Sequence, residues 1–235
     1  MNKKVVIGIV VVALLAIGGV FLYAQVRDSN QPDELSLDDR PAQTTTSAAG
    51  DAAEPTPPAE GADGTWVIVA DSEVGYRVVE DFIGGIANAE AVGRSSAVTG
   101  DVTIAEGAVT GATFEVDMAS VQSDSGRRDG QFTGRIMTVD EFPTADFTLT
   151  DDITFDEVPE VGAELTATAT GDLTLRGVTQ EVTFDVTARW DGEQIVIQGA
   201  IPVLFSDYDI PNPSNAAVST RDNGTLEFLL VLERA

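Results

Sequence analysis

TGDLTLRGVTQEVTF (Thr170–Phe184) decides how the rest of the chain is read. Leu173 and Leu175 alternate with Asp172, Thr174 and Arg176; Val182, Phe184 and Val186 alternate with Glu181, Thr183, Asp185 and Thr187. A period of two is the mark of a strand with one buried face and one wet face. The stretch therefore predicts a β-hairpin turning at Gly177–Gln180, with both leucines and Phe184 facing inward. An anion-holding glycine loop is rejected, because neither GxxxxGK[ST] nor GxGxxG occurs and no helical pattern follows the glycine. A shorter likeness upstream, TGDVTI (Thr99–Ile104), predicts another strand of the same wall.

Working outward, residues 64–235 repeat this style. TWVIVA (Thr65–Ala70), EVGYRVV (Glu73–Val79), ATFEVDM (Ala112–Met118), DFTLT (Asp146–Thr150), ELTATAT (Glu164–Thr170), QIVIQGAIPV (Gln194–Val203) and TLEFLLVL (Thr225–Leu232) are short and rich in Val, Thr, Ile and Phe. Gly, Asp, Asn or Pro punctuate them, which is the signature of an all-β sandwich or barrel in one domain. Parallel βαβ units need helical stretches between strands, and almost none is found. The exception is RRDGQFTGRIMTVD (Arg127–Asp140), which lacks alternation and predicts a short helix or lid. DFIGGIANAEAVGR (Asp81–Arg94) is the longest weakly patterned stretch, read either as a mobile portal or as an ordinary loop.

The amino-terminal residues have a different character. Val5–Ala24 is almost continuously apolar, preceded by Lys3 and Lys4 and followed by Arg27. About 20 apolar residues suffice to cross a bilayer as a helix. The residues before a cut after Ala24 fit a signal-peptidase site poorly. Residues 1–27 are therefore expected to be a cytoplasmic tip and a retained single-span anchor, with a cleaved signal as the other reading. The lysines place the remainder outside, on the extracytoplasmic side of the cell membrane. Residues 28–63 hold five prolines, nine acids and few large apolar side chains, which reads as a disordered acidic linker.

Composition excludes several functions. All 39 acids follow Arg27, and only ten arginines accompany them, leaving 10 − 39 = −29 on the exported part. Such a surface is repelled by phosphate backbones, so no nucleic-acid partner is expected. With no histidine and no cysteine, Ser-His-Asp and Cys-His nucleophile systems cannot be assembled. The usual zinc, copper, haem and iron–sulfur ligand sets are missing too, so neither a cofactor nor a metal is expected. Nor is catalysis: adjacent acids such as Asp151–Asp152 would point to opposite faces of a strand.

SDSGRRDGQFTGRIM (Ser123–Met137) gathers Arg127, Arg128 and Arg135, a third of the nine arginines in residues 64–235. Beside Phe132, Ile136 and Met137 they could meet the polar end of an amphiphile. The alternative is structural, with Arg128 and Asp129 paired to anchor the segment.

GDLTLRGVTQEVTF resembles the hallmark of the YceI-like family of polyisoprenoid-binding proteins. VDMASVQSDSGRRDGQFTGRIM (Val116–Met137), EFPTADFTLT (Glu141–Thr150) and WVIVADSEVGYRV (Trp66–Val78) are similar to further family segments in the right order. One departure is Glu80-Asp81, where many members carry a histidine. The resemblance implies an antiparallel lipocalin-like β-barrel of about eight strands around an apolar channel. It also implies isoprenoid chains or other long amphiphiles as ligands, which the channel would bind, store or transport. Phe132, Ile136, Met137, Phe147, Leu173, Leu175 and Phe184 are the expected lining. The competing reading is a protein–protein or cell-surface interaction module whose barrel is filled by its own side chains.

Overall fold

The structure is a computed structural model and describes residues 31–40, 61–82, 86–155, 161–215 and 217–235. The anchor expected at Val5–Ala24 lies outside them, and among the described residues no helix is long and apolar enough to cross a membrane.

Alternating segments become strands throughout. The first five are β1 (Gly64–Ile68), β2 (Glu73–Phe82), β3 (Ile86–Ser95), β4 (Val98–Ala105) and β5 (Ala108–Asp117). Two-residue β6 (Gln122–Ser123) leads into helix α1 (Gly126–Gln131) and a π-helical turn at Phe132–Ile136. There follow β7 (Thr144–Leu149), β8 (Ile153–Thr154), β9 (Glu164–Leu175) and β10 (Val178–Trp190). The last are β11 (Gln194–Leu204), β12 (Val218–Thr220) and β13 (Asn223–Arg234). Antiparallel pairing runs β1-β4-β5-β7-β9-β10-β11-β13 and returns from β13 to β1, closing an eight-stranded barrel. Closure leaves that ring without an exposed edge. β2 continues the line of β1 along β13, at Glu73↔Leu229 after Ile68↔Leu232, so the two form one bent strand.

The hairpin of the opening stretch is formed by β9 and β10 in unbroken register from Val178↔Leu175 to Arg189↔Glu164. Its turn is tighter than expected. Arg176 (φ 51°) and Gly177 (φ 75°) make it alone, as a two-residue hairpin turn with both central residues left-handed does. Val178 and Thr179, expected within the turn, already pair with Leu175 and Thr174. Arg176 tolerates the left-handed region because its Nε donates to Thr138 Oγ1 at 3.2 Å and its guanidinium lies over Phe142 at 5.9 Å. On the outer face the threonines pair across the strands, Thr174 with Thr179 at 2.8 Å and Thr170 with Thr183 at 3.1 Å. Such cross-strand pairs are the unit of sheet stabilisation. The upstream likeness is strand β4, and its turn repeats the device at Glu106 (φ 55°) and Gly107 (φ 75°).

Two expectations change. Ile86–Ser95, which takes up most of the weakly patterned stretch and the residue after it, is the full strand β3. Ala91, Val92 and Gly93 are consecutive and all buried, so the wet face that would have produced alternation is missing. The second change falls within the expected linker. Gln31–Arg40 lies along the outer wall, with Leu35 and Leu37 buried against Val196 of β11 and Leu229 of β13. Leu35 N–H donates to Glu227 Oε2 and Leu37 N–H to Gln198 Oε1, both at 3.0 Å. Arg77 and Arg94 donate to the carbonyls of Pro32 (3.0 Å) and Asp33 (3.1 Å). Composition misses this strap because its partners lie far along the chain and only two leucines carry the packing.

The interior divides along the barrel axis. At the end where β1 begins, Trp66, Trp190, Ile195, Leu230 and Leu232 meet and fill the section. Trp66 Nε1 donates to the Ala62 carbonyl at 2.8 Å, and the Arg234 guanidinium covers its ring at 4.7 Å. At the other end the walls stay apart.

Candidate functional site: an apolar cavity open at one end

That hollow end holds a cavity of about 440 Å³. The hairpin supplies one wall, Leu173 and Leu175 from β9 and Phe184 from β10, all buried. The inward positions of β2 (Val74, Tyr76, Val78) and β13 (Leu226, Phe228) supply the opposite wall. Phe147 comes from β7, and Phe132, Ile136 and Met137 from the helical segment that closes one side. All seven residues expected to line a channel therefore face this one space. For the strand residues Phe147, Leu173, Leu175 and Phe184 the period-two argument holds because the register of a closed barrel cannot slip by one residue without exposing every inward side chain; Phe132, Ile136 and Met137 reach the space from the helical segment instead.

Tyr76 stacks on Phe132 with ring centroids 5.2 Å apart and planes at 13°. Gly93, its direct cross-strand partner on β3, makes room for it: a Cβ there would stand 2.4 Å from the tyrosine ring. Burial pushes the Tyr76 hydroxyl up to about 12; Arg128 nearby pulls the other way, and Asp129, Glu80 and Asp124 add to the rise. Tyr76, Phe114, Val74 and Phe228 were not among the expected lining. Alternation in EVGYRVV, ATFEVDM and TLEFLLVL marked their faces, and for Tyr76 and Phe228 a mid-strand glycine opposite the ring was the further signal available.

Polar groups gather at the mouth, where Glu80, Ser125, Arg127, Arg128, Gln131 and Asn215 line the cavity. The arginine cluster divides by role. Arg127 is exposed on this rim. Arg128 does not pair with Asp129: it pairs with Asp124 and donates to Ser123 Oγ at 3.2 Å. Asp129 instead accepts from Ser123 N–H (2.9 Å) and Ser123 Oγ (2.6 Å), tying α1 to β6. Asp124 lies just before the helix N-cap, Ser125, within reach of Arg128 in the first turn, whereas adjacent side chains on a helix diverge. Arg135 lies outside the lining and donates to the Pro213 carbonyl at 3.5 Å.

The arrangement is a blind apolar tunnel with a polar rim. It can desolvate an apolar tail, at ~0.8 kcal/mol per buried CH₂, and leave a headgroup in water beside Arg127 and Arg128.

Two solved structures share the architecture. One is a polyisoprenoid binding domain from Saccharophagus degradans implicated in plant cell wall breakdown, at TM-score 0.59 and 16% identity, covering 73% of this chain and 99% of that one. The other is BcnA of Burkholderia cenocepacia, at TM-score 0.54 and 21% identity, covering 69% and 96%. At these identities they establish the fold. No curated protein matches the chain. The YceI-like domain model matches residues 66–232, nearly the whole barrel, and the chain belongs to the YceI-like family.

Proposed function

We propose that the protein is a membrane-tethered, extracytoplasmic binder of an isoprenoid-type or similar long-chain amphiphile, which it stores or carries with the tail inside the barrel. The observation that carries this reading is the cavity of about 440 Å³ with apolar walls and a polar mouth. A ligand site of this kind needs a largely apolar lining with a few convergent polar groups. The Saccharophagus domain of the same fold, named for polyisoprenoid binding, supports the ligand class. The strap begins beside the rim. Its leading residue, Gln31, donates to Asp124 Oδ2 at 3.0 Å, and Asp124 pairs with the rim residue Arg128. A tether at Val5–Ala24 would bring its chain to the barrel beside this mouth. The interaction-module reading requires a barrel filled by its own side chains, a condition met in the tryptophan half but not in this one.

The test is to purify the full chain and its Leu173→Trp variant, extract both, and analyse the extracts by mass spectrometry. The wild type is expected to retain a long-chain lipid that the variant, with its cavity filled, loses. An empty wild type, or equal lipid in both, overturns the proposal.

A further inference from the structure

The floor of the cavity is made of four phenylalanines on four strands. Phe114, Phe147, Phe184 and Phe228 line both the cavity of about 440 Å³ and a second space of about 80 Å³ beneath it. They touch in sequence across the barrel. Phe114 and Phe147 are cross-strand partners, stacked at 5.9 Å and 14°. Phe147 meets Phe184 edge-on at 5.5 Å and 71°, and Phe184 meets Phe228 edge-on at 6.0 Å and 84°. Both geometries are among the favoured arrangements of aromatic pairs.

Two of the rings are seated on glycine. A Cβ at Gly171 would stand 2.5 Å from the Phe147 ring, and one at Gly199 would stand 2.3 Å from the Phe228 ring. Each ring lies where it does because the neighbouring strand presents bare backbone there. The floor is therefore built into the wall at two points. Beneath it the second space is bounded by Ala112, Ala167, Ala169 and Ala188 together with larger apolar side chains such as Leu149, Leu165 and Ile197, and beyond that Trp66 and Trp190 fill the barrel. A tail passing the floor would meet apolar surface, so the obstacle is the rings themselves.

We infer that this four-phenylalanine floor is a length gauge, with Phe147 and Phe184 at its centre. It favours amphiphiles whose prenyl or alkyl tail ends at the rings and disfavours longer ones, which must displace a ring. The inference rests on the ligand class proposed above.

A ladder of prenyl alcohols tests it, from geraniol through farnesol and geranylgeraniol to solanesol. Each displaces a fluorescent farnesyl probe from the full chain held in amphipol. In the wild type, affinity is expected to rise with length and then fall by about tenfold or more, the equivalent of one lost ring-sized contact or more. Phe147→Ala and Phe184→Ala should move that fall to longer alcohols, read as a change in the rank order of the ladder and not in the affinity of any single alcohol. Phe147→Leu, which keeps most of the apolar volume, should move it the same way if the alanine variants do not fold. An affinity that rises along the whole ladder in the wild type, or a fall at the same length in every variant, overturns the gauge and leaves lipid binding standing. If the probe and every alcohol fail to bind, the ligand class itself is overturned.

Discussion

The same long strands build both halves of the barrel, yet one half is solid and the other hollow. β9, β10, β11 and β13 run the length of the molecule, so the difference lies in what their inward positions carry. In the solid half Trp66, Trp190, Leu230 and Leu232 project into the axis and meet. In the hollow half Tyr76 is laid against Gly93, and only at the floor do rings cross the barrel, Phe147 seated on Gly171 and Phe228 on Gly199. Aromatic side chains thus fill one end and line the other, and mid-strand glycines determine which. An eight-stranded barrel has an interior that side chains can just fill. A cavity therefore has to be created by folding side chains back, and the unpaired faces around it forfeit dispersion contacts that the solid half retains.

The largest expected effect breaks the solid half. Trp66→Ala removes a side chain 1% exposed, hydrogen-bonded to Ala62 and covered by Arg234. Denaturant unfolding should show a loss of about 3–5 kcal/mol, the range for a large aromatic removed from a packed core. Phe132→Ala in the hollow half should cost roughly half as much, because one side of the ring faces the cavity and fewer contacts vanish. Equal losses would mean that the two halves are packed alike.

A second, smaller effect concerns the outer wall beside the hollow half. Glu227, 5% exposed, accepts from Arg77 Nε at 3.1 Å and from Arg94 Nη1 at 2.8 Å. Burial opposes the charge on Arg77, but Glu227 and Glu90 more than offset it and raise its pKa. Glu227→Ala leaves these buried guanidinium groups short of a carboxylate, at a cost of about 3 kcal/mol. It also removes the acceptor of the Leu35 amide. Hydrogen exchange at Leu35 should therefore quicken well beyond any change at β10 amides. Unchanged protection at Leu35 would show that the strap is held by Leu35 and Leu37 packing alone.

What was legible in the sequence follows the same division. Alternation in Thr170–Phe184 located a hairpin and its inward residues, because a wall with one wet face writes its period into the chain. Alternation failed at β3, where neighbouring residues are all buried, and composition failed at the strap, whose polar partners Arg77, Arg94, Arg189 and Glu227 lie far along the chain. Seven lining residues were legible, Phe147 and Phe184 of the floor among them, but Val74, Tyr76, Phe114 and Phe228 were missed, and so was the floor as a unit. Period two tells which side chains point inward, but whether a ring spans the axis or lies flat depends on the residue opposite it on another strand. That pairing is fixed by register, not by local sequence.

The smallest effect sharpens the contrast through pH. Tyr76 lines the hollow half, and burial there lifts its hydroxyl from 10.0 to about 12. A raised tyrosine pKa means that the unfolded chain loses this proton first. Below pH 10 both states are protonated and the group exerts no differential effect. Between pH 10 and 12 the unfolded state ionises while the folded state resists, so stability falls. At about 1.4 kcal/mol per pKa unit the loss is at most roughly 2.8 kcal/mol, complete once the folded hydroxyl also ionises. Tyr76→Phe should abolish this component, so the difference in stability between wild type and variant should drift over that window and stay flat from pH 7 to 9. A bound tail deepens the burial of the ring and should push the drift to still higher pH. If lipid-loaded and lipid-free protein give the same drift, the hydroxyl is desolvated by the wall alone and the tail does not reach it.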